Sequence, residues 1–171
     1  MIRGSSRSLI TPQLVRVLRR KFSLNWRGVH GAPHWARVRA NGLIIAQHSG
    51  ASTKVVELFA FVHDSCRVHD GRDRDHGSRG ALFVEEIQTS VLGLSDEETG
   101  LLAYACRHHS DGMLDAEVTV QTCWDADRLD LGRVGIRPDP ARLCTPAARD
   151  RGLIAWAYAR SLCQPSRPHR R

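Results

Sequence analysis

Residues 55–64 read Val55-Val56-Glu57-Leu58-Phe59-Ala60-Phe61-Val62-His63-Asp64, an apolar run that passes without a break into a histidine beside an aspartate. The run is long for a strand and leads into charge rather than a tight turn, so it predicts a buried helix. Such a helix delivers an imidazole and a carboxylate together to the edge of a core. Both ligate metals when deprotonated, and a buried aspartate without a partner is costly. The pair therefore predicts a divalent metal at the end of this helix.

The surrounding chain sets bounds. At 171 residues it suits one domain with a proper core, and 42% hydrophobic with 25% charged residues is ordinary for a globular protein. Five cysteines without a Cys-x-x-Cys pair read as reduced thiols in a cytosolic protein. No apolar run is long enough to cross a bilayer. Arg16, Arg19 and Arg20 interrupt Leu14-Val15 and Val17-Leu18, so no signal-peptide core follows the basic N-terminus, and a cytoplasmic location is expected. The net charge of +7 is uneven: residues 1–56 hold ten Lys or Arg and no acid, and residues 164–171 add three arginines. Such asymmetry can attract nucleic acid or nucleotide phosphates, although a solvated arginine-rich arm accounts for the tail equally well.

Residues 1–10 show no periodicity and read as a loosely held N-terminus, residues 11–163 as one helical domain, and 164–171 as a basic tail. Thr11-Pro12 starts a helix through Phe22, with Leu14, Val15, Leu18 and Phe22 on one face. Gly28, Gly31 and Pro33 open a second, running to about Gln47, and Ser52 caps the one that ends in His63-Asp64. The polar stretch from Cys66 to Arg79 reads as a functional loop, followed by a helix from Gly80 to Leu92. Ser95-Asp96-Glu97-Glu98 is a capping box for a helix ending at His108-His109. A further helix over Val118–Val134 carries Asp125, Asp127 and Asp130, two of which can face water, and a last one over Ala147–Leu162 packs Leu153, Ile154, Trp156, Ala157 and Ala159. The chain thus reads as all-α, a bundle of about six to seven helices.

Histidines and acids now fall in order: His34, His63-Asp64, His76, His108-His109, Asp127. Polar residues aimed from several helices at one point are how bundles build metal sites at their centres. Alone, any of them reads as a surface residue or a satisfied core histidine, and His48, His69 and His169 are read as solvent-facing.

His34-Trp35-Ala36-Arg37-Val38 resembles the His-x-x-Arg-Val segment of the HD-domain metal-dependent phosphohydrolases. His63-Asp64 is similar to the pair that names them, and Asp125-Ala126-Asp127-Arg128-Leu129 to their closing Ala-Asp-Arg-Leu segment. The similarity runs from about His30 to Ile136 and extends to a group of small bacterial HD proteins without an assigned substrate. It implies an HD-like helical bundle, a divalent metal held by His34, His63, Asp64 and Asp127, and hydrolysis of a phosphate ester of a nucleotide or small phosphorylated metabolite. The metal would be Mn, Fe, Co, Ni, Zn or Mg. Asp64, with His63, would carry the catalytic role, the aspartate as ligand or as base toward water.

Two departures qualify the resemblance. Arg67 stands where some nucleotide-cleaving relatives have an acid, which makes it a phosphate-binding candidate, as are Arg72, Arg74 and Arg79 around His76. His30, His76, His108 and His109 exceed the needs of one metal and are candidates for a second. The alternative from another class is a nucleic-acid-binding protein or HD-type nuclease using the basic N-terminal third, for which no reader motif is present. A degenerate HD module without turnover is a third reading, opposed by the intact His34, His63, Asp64 and Asp127.

Overall fold

Capping residues divide the chain into seven α-helices in a computed structural model that describes residues 9–163. Helix α1 (Pro12–Lys21) opens on Thr11, whose hydroxyl accepts from the Leu14 amide, with Pro12 at the first position. Helix α2 (Ala32–Ser49) starts after Gly31 and is stopped by Gly50 at φ 78°. Helix α3 (Thr53–Val62) is capped by Ser52 and runs directly into His63. Helix α4 (His76–Ile87) continues as one π-helical turn, Gln88–Leu92, and α5 (Asp96–His108) opens on the Ser95/Glu98 capping box. The Glu117 and Asp150 carboxylates cap α6 (Val118–Arg128) and α7 (Arg151–Leu162). No strand occurs among the described residues.

Helix α2 packs across α3 and α6, α4 pairs with α5, and α3 also lies against α5 and α6. Two close approaches fix this arrangement. A Cβ on Gly42 would fall 2.5 Å from Val56 Cγ1 and 3.2 Å from Ala126 Cβ, so only glycine lets α2 seat on α3 and α6 together. A Cβ on Gly77 would lie 2.7 and 2.6 Å from the carbonyl oxygens of Cys106 and Arg107, so the first turn of α4 presses directly on the end of α5. Trp35, Phe59, Leu102 and Trp124 fill one continuous core between these helices.

Several expected boundaries move. The loop after Asp64 is shorter than composition suggests, because His76 and Arg79 belong to α4; contact with α5 and the hydrogen bond from His76 Nδ1 to the Asp73 carbonyl outweigh the polar sequence. The Val118–Val134 segment is not one helix: α6 ends at Arg128, and Leu131–Val134 forms a 3-10 turn closed by Gly135 at φ 82°. None of its three aspartates faces water. Asp125 instead accepts hydrogen bonds from the Cys144 and Thr145 amides and the Thr145 hydroxyl, at 2.7, 2.7 and 2.8 Å. The Thr145–Arg149 stretch held in this way turns rather than starting the last helix, which begins at Arg151. Along α7, Ile154, Ala157 and Ser161 are buried, whereas Trp156 and Ala159 face solvent.

Leu9 and Ile10 pack half-buried against the core; the rest of the N-terminal segment 1–10 and the basic tail 164–171 lie outside the described residues. Helix α1 turns Arg16, Arg19, Arg20 and Lys21 outward. No helix among the described residues is long and apolar enough to cross a membrane.

Candidate metal centre

Five helices aim side chains at one point. The start of α2 supplies His34, the end of α3 His63 and then Asp64, the start of α4 His76, the end of α5 His109, and the last turn of α6 Asp127; all are buried. Asp64 is the hub. Its Oδ2 lies 3.6 Å from His34 Nε2 and 3.7 Å from His63 Nε2, while its Oδ1 lies 3.4 Å from His76 Nε2 and 3.5 Å from His109 Nε2. Asp127 Oδ1 completes the first set, 3.4 Å from His34 Nε2 and 3.8 Å from His63 Nε2.

Hydrogen bonding on the outer nitrogens fixes what the inner ones can do. His34 Nδ1 donates to Asp130 Oδ2 at 2.7 Å, and His63 Nδ1 donates to the Phe59 carbonyl at 3.1 Å. Burial, reinforced by Arg133, pushes the His34 pKa well below its ordinary value, and burial also lowers that of His63. Both rings are thus neutral, and their Nε2 lone pairs face each other across 3.1 Å beside two carboxylate oxygens. One of those oxygens, Asp127 Oδ1, is buried without any hydrogen-bond partner. Lone pairs converging on one point in a buried site fit a cation.

The second set repeats the pattern. His76 Nδ1 donates to the Asp73 carbonyl and His109 Nδ1 to the Cys106 carbonyl, leaving their Nε2 atoms 2.8 Å apart. Burial and then the charge of His109 lower the His76 pKa to about 4. Burial also disfavours charge on His109, but the Asp64 carboxylate outweighs it and raises the pKa. Asp64 itself is pushed up by burial, yet its neighbours His63, His109 and His30 hold it well below the usual carboxylate range. Three groups therefore can hold a metal ion: His34, His63 and Asp64; His63, His109 and Asp127; and Asp64, His76 and His109.

Other expected residues stand elsewhere. His30 lines the site but directs Nδ1 at Asp64 Oδ2, 2.9 Å away, and Nε2 at the Asp70 carbonyl, 3.1 Å away, so it orients Asp64 rather than joining the second set. His108 lies on the outer side of α5 and pairs with Asp111 at 2.7 Å. Arg67 is at the site: Nη1 donates to His76 Nε2 at 3.1 Å, Nη2 to the Gly71 carbonyl at 2.8 Å, and the buried Nε has no partner. Arg72 and Arg74 are exposed and Arg79 is paired with Asp73; none of the three lines the cavity over the cluster.

Asp130 and Arg133 were not legible as site residues. Asp130 accepts from His34 and from Arg37, at 2.6 and 3.0 Å, and Arg133 donates to the Val29 carbonyl at 3.0 Å with Nη2 3.6 Å from Asp127 Oδ1. The signal for Asp130 was its place three residues after Asp127; Arg133 left none, because the 3-10 turn that swings it inward has no sequence mark of its own.

The cluster opens on a cavity of about 780 Å³ whose inner end is formed by His30, Asp64, Arg67, His76, His109 and Asp127, and whose outer end is formed by residues 131–143. No family model, curated protein or solved structure matches the chain, so its functional reading rests on this geometry.

Proposed function

We propose that the protein is a metal-dependent phosphohydrolase that cleaves a phosphate ester at the Asp64 cluster, where His34, His63, Asp64 and Asp127 would hold a divalent ion and Asp64, His76 and His109 would hold a second. The observation that carries this reading is the aspartate's position between the His34/His63/Asp127 and His76/His109 sets, at the floor of an arginine-lined cavity. The resemblance of His34, His63-Asp64 and Asp127 to the HD phosphohydrolase motifs supports it. A divalent metal bound there supplies positive charge for the phosphoryl oxygens and lowers the pKa of water.

The protein's own groups do the rest. Asp130 and Arg37 hold His34 in the tautomer that leaves Nε2 bare. His30 holds Asp64 Oδ2 and so fixes the orientation of the carboxylate that would take the water proton. Arg67 lines the cavity beside His76, where its guanidinium would bind a phosphate oxygen. Water oxygen bonds to phosphorus, the ester P–O bond breaks, and one water proton ends on the departing alcohol.

The basic face of α1 contributes no residue to the cavity, so binding of nucleic acid there would be separate from this chemistry. Metal analysis of the purified protein tests the proposal, followed by phosphate release from nucleotides and simple phosphomonoesters with Mn, Fe, Co, Ni, Zn or Mg. Bound metal and hydrolysis are expected. Absence of both with every ion overturns it.

A further inference from the structure

The outer end of the cavity differs in character from its floor. Residues 131–143 leave α6 as two 3-10 turns, Leu131–Val134 and Pro140–Arg142, joined by irregular chain, and Arg133 ties the first of them to the Val29 carbonyl at 3.0 Å. Arg128 donates to the Arg142 carbonyl at 3.0 Å, and Asp125 holds the Cys144 and Thr145 amides. This anchored wall carries Val134 and Ile136, 45% and 54% exposed, and faces Leu114, 43% exposed. Of the eight large hydrophobic side chains exposed among the described residues, these three line one cavity. Scattered exposed apolar residues need no explanation, whereas a group on the wall of a pocket marks a ligand surface. Arg137, whose guanidinium rests over the Tyr158 ring at 5.3 Å, and Arg142 line the same end and bring positive charge that attracts an anionic ligand.

A phosphate with a three-carbon body would occupy the floor and leave this wall in water. A cavity of about 780 Å³ falls instead in the range that encloses a much larger organic ligand. Resting on the phosphohydrolase reading, we propose that the substrate is a phosphomonoester with an aromatic body of about nucleoside size, its ring seated on Leu114, Val134 and Ile136. Specificity then resides in this wall, and turnover in the cluster below it.

Two measurements test this on the metal-loaded protein, one of them independent of turnover. In binding, 1-naphthylphosphonate is expected to hold at least about tenfold tighter than methylphosphonate, and Ile136→Asn to remove that advantage while leaving methylphosphonate unchanged, because the substitution adds no charge. In turnover, kcat/KM for 1-naphthyl phosphate and nucleoside monophosphates is expected to exceed that for glycerol 3-phosphate by a similar factor, with the Ile136→Asn loss appearing in KM. Ile136 is exposed, so the substitution spares the core; Val134→Asn is the parallel variant, with the same expected effect. Equal binding of the two phosphonates, or an advantage that survives both substitutions, overturns the inference. Preferential binding without hydrolysis of any ester supports the wall as a ligand site and counts against the phosphohydrolase reading alone.

Discussion

His34 Nδ1 lies 2.7 Å from Asp130 Oδ2, and both side chains are fully buried. The carboxylate also takes Arg37 through both oxygens, so α2 and the turn after α6 meet in a closed hydrogen-bonded unit behind His34 Nε2. Burial nevertheless raises the Asp130 pKa despite Arg37. Asp130→Asn keeps the size but weakens the acceptor; metal affinity, read by chelator competition, should fall by about 10–100-fold. Asp130→Ala leaves Arg37 without its partner and should cost about 3–5 kcal/mol in denaturant unfolding. Unchanged affinity in the Asn variant would show that His34 does not need this support.

Gly77 separates the two ligand sets experimentally. Its missing Cβ lets α4 press on the carbonyls of Cys106 and Arg107, and these backbone atoms cannot rotate away from an added methyl. Gly77→Ala should therefore displace His76 from His109, lowering metal content by one ion per chain while the His34/His63/Asp127 set stays loaded. Overpacking of this kind costs about 1–3 kcal/mol. Wild-type metal content in the variant would argue against binding between His76 and His109.

Acid should destabilise the metal-free protein through its histidines before its carboxylates. His34, His63 and His76 all have folded pKa values below the unfolded 6.5, so below pH 6.5 the unfolded chain binds more protons and stability falls with pH. His109 has the opposite sign: its raised pKa adds stability below 6.5 that is lost as pH rises through the folded value. Asp64 and Asp127, held below 3.8, contribute a further loss only as pH falls through and below that value. Thermal melts in chelator should thus show Tm dropping between pH 6.5 and 5. A flat Tm over that interval would mean that these rings are not buried neutral.

Adding a divalent ion at pH 7.5 should raise Tm in proportion to the logarithm of its concentration above Kd, because ligands that bind only the folded state stabilise it by mass action. Removing the ion should reverse the shift. No thermal response to any of the six ions would leave the cluster without a ligand role.

Asp64→Ala removes the one carboxylate shared by both sets and should reduce hydrolysis by at least about 10²-fold with helix content preserved. Retained turnover would move the chemistry to another carboxylate.

Much of this was open to sequence reading because it depends on local chemistry. The caps at Thr11, Ser52 and Ser95, the stop at Gly50 and the apolar run into His63-Asp64 depend on neighbours within four residues, and they define the helices and place ligands at their ends. That His34, His63, Asp64 and Asp127 belong together was implied by their resemblance to the HD motifs; their order on successive helices alone did not separate them from His76, His108 and His109. The three aspartates at 125, 127 and 130 could not be sorted this way. Each is buried against a different partner, the Thr145 turn, the ligand histidines and the His34–Arg37 pair, and those partners lie 20 to 96 residues away in sequence. The same limit applied to His76 and His109, joined only because Gly77 lets two helices touch, and to His108, which the helical twist turns outward to Asp111. The sequence alone thus determined the helices and the residue types at their ends; which of those residues face one another depended on interhelical packing, where side-chain volumes and buried hydrogen bonds between distant segments select the partners.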